Sequence, residues 1–127
     1  MPPTRLLLVD DHALFREGLC SLLAYQDDFA VVGEAEDAAG ALKKARMLAP
    51  DIVLMDIEMS GEDGVSATQR LTTELPAITV VMLTAHDDSE TLFAALKAGA
   101  HGYLIKNMRS RELLERLEIV VSEETAR

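Results

Sequence analysis

Cysteine, aromatic residues, long apolar runs and positive charge are all scarce in this chain, and each shortage narrows what it can be. A single cysteine, Cys20, excludes an intrachain disulfide framework and fits a reducing, cytoplasmic compartment. It falls among apolar residues of a predicted helix, which predicts a buried, inert thiol. There is no Trp, and three Phe and two Tyr make up 4% of the residues, so the core has to be built from Leu, Val, Ile, Ala and Met. The apolar runs are short and interrupted by charge, which excludes a membrane span. Residues 1–5, followed by only four apolar residues and then acids, lack the layout of a signal peptide. Twelve basic against 22 acidic residues leave a net charge of −10, which disfavours direct binding to nucleic acid. Lys97 and Arg109 to Arg111 are too sparse for a basic patch, and no Gly-rich phosphate loop follows the first apolar run.

What is present is a regular alternation. Hydrophobic residues make up 49% of 127 residues, enough for one domain with a substantial core. Five short apolar runs, Arg5–Val9, Ala30–Ala35, Asp51–Met55, Ile78–Leu83 and Gly102–Ile105, recur roughly every 20–27 residues. Helical patterns over Ala13–Tyr25, Ala38–Leu48, Val65–Leu75, Ser89–Ala98 and Ser110–Val121 follow them in turn. Pro50 and Pro76 stop the second and third helices, and Gly99 is placed to cap the fourth. In the last helix Leu113, Leu114, Leu117, Val120 and Val121 share one face. Pro2-Pro3 and Glu123–Arg127 read as frayed ends. This βα alternation predicts a doubly wound parallel sheet with helices on both faces, the first and third strands at its centre.

In such a sheet every strand ends on the same rim, where ligand chemistry collects. The residues that fall there are Asp10 and Asp11 after the first run, Asp56 after the third, Thr84 after the fourth and Lys106 after the fifth. Singly, each has an ordinary explanation. Asp11 can cap the helix starting near Ala13, and Thr84 can cap the fourth helix, although Asp87, Asp88 and Ser89 lie nearer. Together, three carboxylates would raise one another's pKa unless a cation sat among them. Oxygen donors with no His or Cys expected nearby suit a hard ion, Mg²⁺ in particular, which also holds phosphoryl oxygens. A carboxylate can carry an aspartyl phosphate, with the Lys and Thr contacting the phosphoryl group.

These motifs resemble the receiver domain of two-component response regulators, over residues 5–121. Asp10-Asp11-His12-Ala13-Leu14-Phe15-Arg16-Glu17-Gly18-Leu19 is similar to receivers that precede LuxR-type helix-turn-helix domains, the NarL/FixJ group. Leu54-Met55-Asp56-Ile57, Leu83-Thr84-Ala85 and Gly102-Tyr103-Leu104-Ile105-Lys106 match the other motifs in order. The resemblance implies a flavodoxin-like (βα)5 fold with strand order 2-1-3-4-5 and one receiver unit over residues 1–127. It implies that Asp56 accepts phosphate from a sensor histidine kinase. Asp11 and Asp56 would ligate Mg²⁺ directly, with the Glu58 carbonyl, and Asp10 through water. Thr84 and Lys106 would contact the phosphoryl oxygens, and Tyr103 would follow Thr84 in the switch. It further implies phosphorylation-dependent homodimerisation, and DNA binding only through an output domain that these residues do not include.

Two positions depart from the family pattern. Ser60 and Asn107 stand where Pro is common, and a cis bond before Asn107 would cost roughly 2.5–4 kcal/mol, which predicts a trans or strained Lys106–Asn107 bond. His12 reads as a surface residue at a helix start, and His86 as a solvated residue near the pocket mouth. Phe15, Leu19, Leu22 and Leu23 form a wide stripe on the first helix, partly core and partly available for a kinase. The rival readings are a phosphate-independent receiver-like binding module and a phosphatase of the haloacid-dehalogenase type. The second wants an Asp where Glu58 stands, together with a cap domain.

Overall fold

In the computed structural model, described over residues 2–59, 63–85 and 90–125, strands and helices alternate strictly. The strands are β1 (Thr4–Val9), β2 (Phe29–Ala35), β3 (Ile52–Asp56), β4 (Thr79–Thr84) and β5 (Gly102–Ile105). The helices are α1 (Ala13–Ala24), α2 (Ala38–Leu48), α3 (Gly64–Glu74), α4 (Glu90–Lys97) and α5 (Ser110–Thr125). All strand pairs are parallel, in the order β2-β1-β3-β4-β5. The flavodoxin-like expectation holds.

The near-continuous apolar strands are explained by burial on both faces. Because side chains alternate along a strand, Leu7, Val9, Val53, Met55, Val80 and Met82 fall on one face. They pack there against Ala41, Leu42 and Ala45 of α2, Ala67 and Leu71 of α3, and Leu92 and Ala95 of α4. Leu6, Leu8, Ile52, Leu54, Val81, Leu83 and Leu104 fall on the other, against Leu19 and Leu23 of α1 and Leu113, Leu117 and Val120 of α5. Each such fully buried aliphatic side chain contributes on the order of 1.5–3 kcal/mol. The two cores enclose β1, β3 and β4, which lead to Asp10 and Asp11, to Asp56 and to Thr84 at the rim.

The helix ends follow local chemistry. Asp37 and Asp63 cap α2 and α3 by accepting from the N–H groups of Gly40 at 2.7 Å and Ser66 at 2.8 Å. After α4, Gly99 has φ +118°, its N–H reaches Leu96 O, and the Ala100 N–H reaches Ala95 O. That pair of bonds is a Schellman stop, which needs a residue without Cβ. The Thr72 hydroxyl donates to Ala98 O at 3.0 Å, locking the stop onto α3.

Several boundaries differ from the sequence reading. α5 continues through Thr125 instead of fraying at Glu123, because Ser122-Glu123-Glu124-Thr125 contains no breaker and each added turn needs no new nucleus. Asp56 closes β3, the carboxylate at the end of a buried strand, and its ladder partner Leu83 extends that far. α3 begins at Gly64, one residue early, under the cap of Asp63. Cys20 is half-buried instead of buried; burial and then the Glu34 carboxylate push its thiol up to about 11, so the expectation of inertness stands. No cis peptide bond occurs among the described residues, the Lys106–Asn107 bond included.

Candidate functional site

The carboxyl ends of β1, β3, β4 and β5 meet on one rim, as the topology requires. Asp10 follows β1 and is 1% exposed, and Asp56 closes β3 at 2%. Thr84 closes β4, also buried, and its carbonyl accepts from the Lys106 N–H at 2.8 Å, which carries the ladder one residue past β5. Lys106 Nζ thereby comes 2.8 Å from Asp10 Oδ2 and 3.6 Å from Asp56 Oδ2. Its ammonium also sits 4.7 Å above the Phe15 ring, so this α1 residue serves as an apolar floor for the lysine as well as joining the core.

The two oxygens of Asp56 have different surroundings. Oδ1 accepts from the Glu58 N–H at 3.2 Å, whereas Oδ2 is buried with no hydrogen-bond partner. Asp10 divides in the same way: Oδ1 accepts from the His12 N–H at 2.8 Å, and Oδ2 contacts Lys106 without hydrogen-bond alignment. One cation among crowded acids does not neutralise them. Burial first, and then the Asp10 charge, raise the Asp56 carboxyl from its ordinary 3.8 to about 7, while Lys106 and the Glu58 N–H pull the other way.

Of the residues expected at the site, Asp10, Asp11, Asp56 and Lys106 are brought together, and ligand atoms of Asp10, Asp11, His12 and Asp56 all lie within 4.8 Å of one another. Thr84 lies one ladder step beyond Leu83, the partner of Asp56. Tyr103 is half-buried on β5 with the Arg116 guanidinium 5.5 Å from its ring, so its outer face is covered by α5 instead of water. Ser60, His86, Asp87, Asp88 and Ser89 lie outside the described residues.

Two expectations need correction. Asp11 does not cap α1: the N-cap is His12, which makes no side-chain cap bond, and the turn before the helix is held by Asp10. His12 is exposed at the helix start as expected, but its imidazole turns back onto the acids, 3.1 Å from Asp10 Oδ1 and 3.7 Å from Asp56 Oδ2. Its place beside the Asp pair was the available signal. Gly64, the first residue of α3, holds a further position against the acceptor. It is a point of close approach, because a Cβ there would stand 2.4 Å from the Asp56 carbonyl oxygen. Nothing in a one-dimensional pattern marks that contact.

No helix among the described residues is long and apolar enough to cross a membrane. The chain matches the model of the response regulator receiver domain over residues 6–118. It is 40% identical over 116 residues to the transcriptional regulatory protein DegU of Brevibacillus brevis, covering 91% of this chain and 49% of that protein. It therefore spans about half the length of such curated relatives. A LuxR-family two-component response regulator from Aurantimonas superposes with a TM-score of 0.88 at 36% identity, covering 95% of this chain and 86% of that one. The signal receiver domain of the putative response regulator NarL from Mycobacterium tuberculosis gives 0.86 at 33%, covering 94% and 98%. Fold, rim and relatives agree: the chain belongs to the response regulator receiver domain family, in its NarL/LuxR class.

Proposed function

We propose that this domain is a phosphorylation switch in which Asp56 carries the phosphoryl group. The observation that supports it most directly is the asymmetry of Asp56: Oδ1 is held by the Glu58 N–H while Oδ2 is buried, without a hydrogen-bond partner, beside Lys106. Oδ2 is the nucleophile. It attacks phosphorus, the P–N bond to a kinase phosphohistidine breaks, and the histidine leaves with that electron pair. The backbone bond to Oδ1 fixes the carboxylate plane during attack.

Ionised Asp56 is required for attack, and crowding opposes ionisation. The acid set, with Asp56 Oδ2 buried and without a hydrogen-bond partner, fits Mg²⁺ held by Asp11, Asp56 and the Glu58 carbonyl, with Asp10 acting through water. When bound, Mg²⁺ neutralises the acids and the phosphoryl oxygens. Lys106 leaves Asp10 for the phosphoryl group, and the Thr84 hydroxyl donates a hydrogen bond to it. The added charge of about −1.5 to −2 draws these two residues inward, and Tyr103 follows on β5. The α4-β5-α5 face is the output, and it carries Phe93 of α4 uncovered at 58% exposure.

The kinase docks along α1, where Leu14 is 85% exposed and a groove of about 180 Å³ lined by Phe15, Leu22, Met108 and Leu113 runs up to Lys106. Dimerisation through the output face and a DNA-binding domain beyond residue 127 complete the proposal for the whole protein. Mg²⁺-dependent labelling by acetyl phosphate tests the acceptor. Labelling in the wild type and none in Asp56→Asn is expected; label surviving in the variant would refute the assignment.

A further inference from the structure

We infer that His12 is a third direct side-chain ligand of the cation site, beside Asp11 and Asp56, a nitrogen donor that raises its affinity for borderline first-row ions relative to Mg²⁺. The inference rests on the reading of Asp10, Asp11 and Asp56 as that site. His12 Nδ1 lies 3.1 Å from Asp10 Oδ1, 3.5 Å from Asp11 Oδ1 and 3.7 Å from Asp56 Oδ2. Donor atoms on one octahedral ion with bonds of ~2.1 Å are about 3 Å apart when adjacent and about 4.2 Å when opposite. The separations from Asp11 and Asp56, the two side chains read as direct ligands, fall between those values. Independently, Asp56 Oδ2, on a side chain 3% exposed, is buried in the same cluster without a hydrogen-bond partner.

The surroundings of Nδ1 also conflict with a simple hydrogen-bonding role. Lys106 Nζ, 3.0 Å away, can only donate, whereas an ionised Asp10 Oδ1 at 3.1 Å can only accept. A proton on Nδ1 suits Asp10 and opposes Lys106, and a lone pair does the reverse. A shared cation removes the conflict, because the imidazole lone pair and the carboxylate oxygen then point at the same charge. The backbone leaves the side chain free to do this: His12 is extended at φ −88°, ψ 93° and makes no side-chain cap bond to α1.

The consequence is ion preference. Mg²⁺ keeps oxygen donors and water and gains little from an imidazole, whereas Ni²⁺, Zn²⁺ and Fe²⁺ gain more. His12→Ala and His12→Asn alter an exposed side chain, so both fold. Pulsed EPR of Mn²⁺ bound to the domain should show a directly coordinated nitrogen in the wild type and none in either variant. Calorimetric titration should show the Ni²⁺ dissociation constant rising about tenfold or more in His12→Ala, the scale on which losing a weaker, outer partner already acts. The Mg²⁺ constant should stay within about twofold, since its oxygen donors are untouched. Mn²⁺ bound without nitrogen coupling, or equal Ni²⁺ affinity in wild type and His12→Ala, would overturn the role of His12 and leave the acidic cation site standing. Failure of the wild type to bind Mn²⁺, Ni²⁺ and Mg²⁺ at millimolar concentration would overturn both.

Discussion

Replacing Asp56 with Asn should stabilise this domain at alkaline pH in the absence of divalent cations, although it removes the proposed acceptor. Asp56 has its carboxyl raised from 3.8 to about 7 by burial and by Asp10. A group whose folded-state pKa lies above its unfolded value favours folding while protonated and loses that contribution as pH rises through the interval between the two. At about pH 5 the native carboxyl is still protonated and resembles the Asn amide in charge and size. By about pH 8 it is ionised in both states, and the native state bears the full burial and repulsion. Each pKa unit corresponds to 1.36 kcal/mol, so the advantage of Asp56→Asn over wild type should grow by about 2–3 kcal/mol between pH 5 and pH 8. With a urea slope of roughly 1–3 kcal/mol/M, that difference separates the two midpoints by a further ~1–2 M. Paired urea titrations in EDTA at the two pH values measure it. Comparing wild type with variant cancels titration of the shared groups that lie away from Asp56. A wild type and variant whose midpoints keep the same separation at both pH values would refute the claim that Asp56 is ionised against its surroundings.

Millimolar Mg²⁺ should raise the melting temperature of the wild type more than that of Asp56→Asn, since a ligand at ten times its Kd stabilises the native state by about 1.4 kcal/mol. Identical melting curves with and without Mg²⁺ would count against the metal assignment. Gly64→Ala should destabilise by about 1–3 kcal/mol and reduce acetyl phosphate labelling, because the new Cβ meets the Asp56 carbonyl oxygen at 2.4 Å and must displace the acceptor's own backbone. A stable, fully labelled Gly64→Ala would show that the contact relaxes without moving the site. Lys106→Met should move the Asp56 titration, followed by carbon NMR of its carboxyl, above about 7, because Lys106 is the neighbouring charge that lowers it. An unchanged or lower midpoint would mean that the lysine does not reach Asp56 in solution.

Much of this was legible in one dimension. Ile52-Val53-Leu54-Met55 reads as a strand buried on both faces because period-two alternation disappears when both faces are covered. Five such runs with intervening helices leave little topological choice, since right-handed crossovers put every strand end on one rim. Asp10, Asp11, Asp56, Thr84 and Lys106 could therefore be read as a set from their places after successive strands. What only the tertiary structure decided is distance and direction. That Asp56 Oδ1 is bonded while Oδ2 is not, that Lys106 rests on Asp10 and Phe15, and that His12 turns inward all depend on atoms from separate elements meeting. The Gly64 requirement is of the same kind, because it arises where the start of α3 runs against the end of β3. Secondary structure follows from local periodicity and backbone sterics, which a chain carries along its length. The raised pKa of Asp56 follows from burial and Coulomb repulsion across the gap to Asp10, 46 residues away in sequence, and exists only once the sheet has closed that gap.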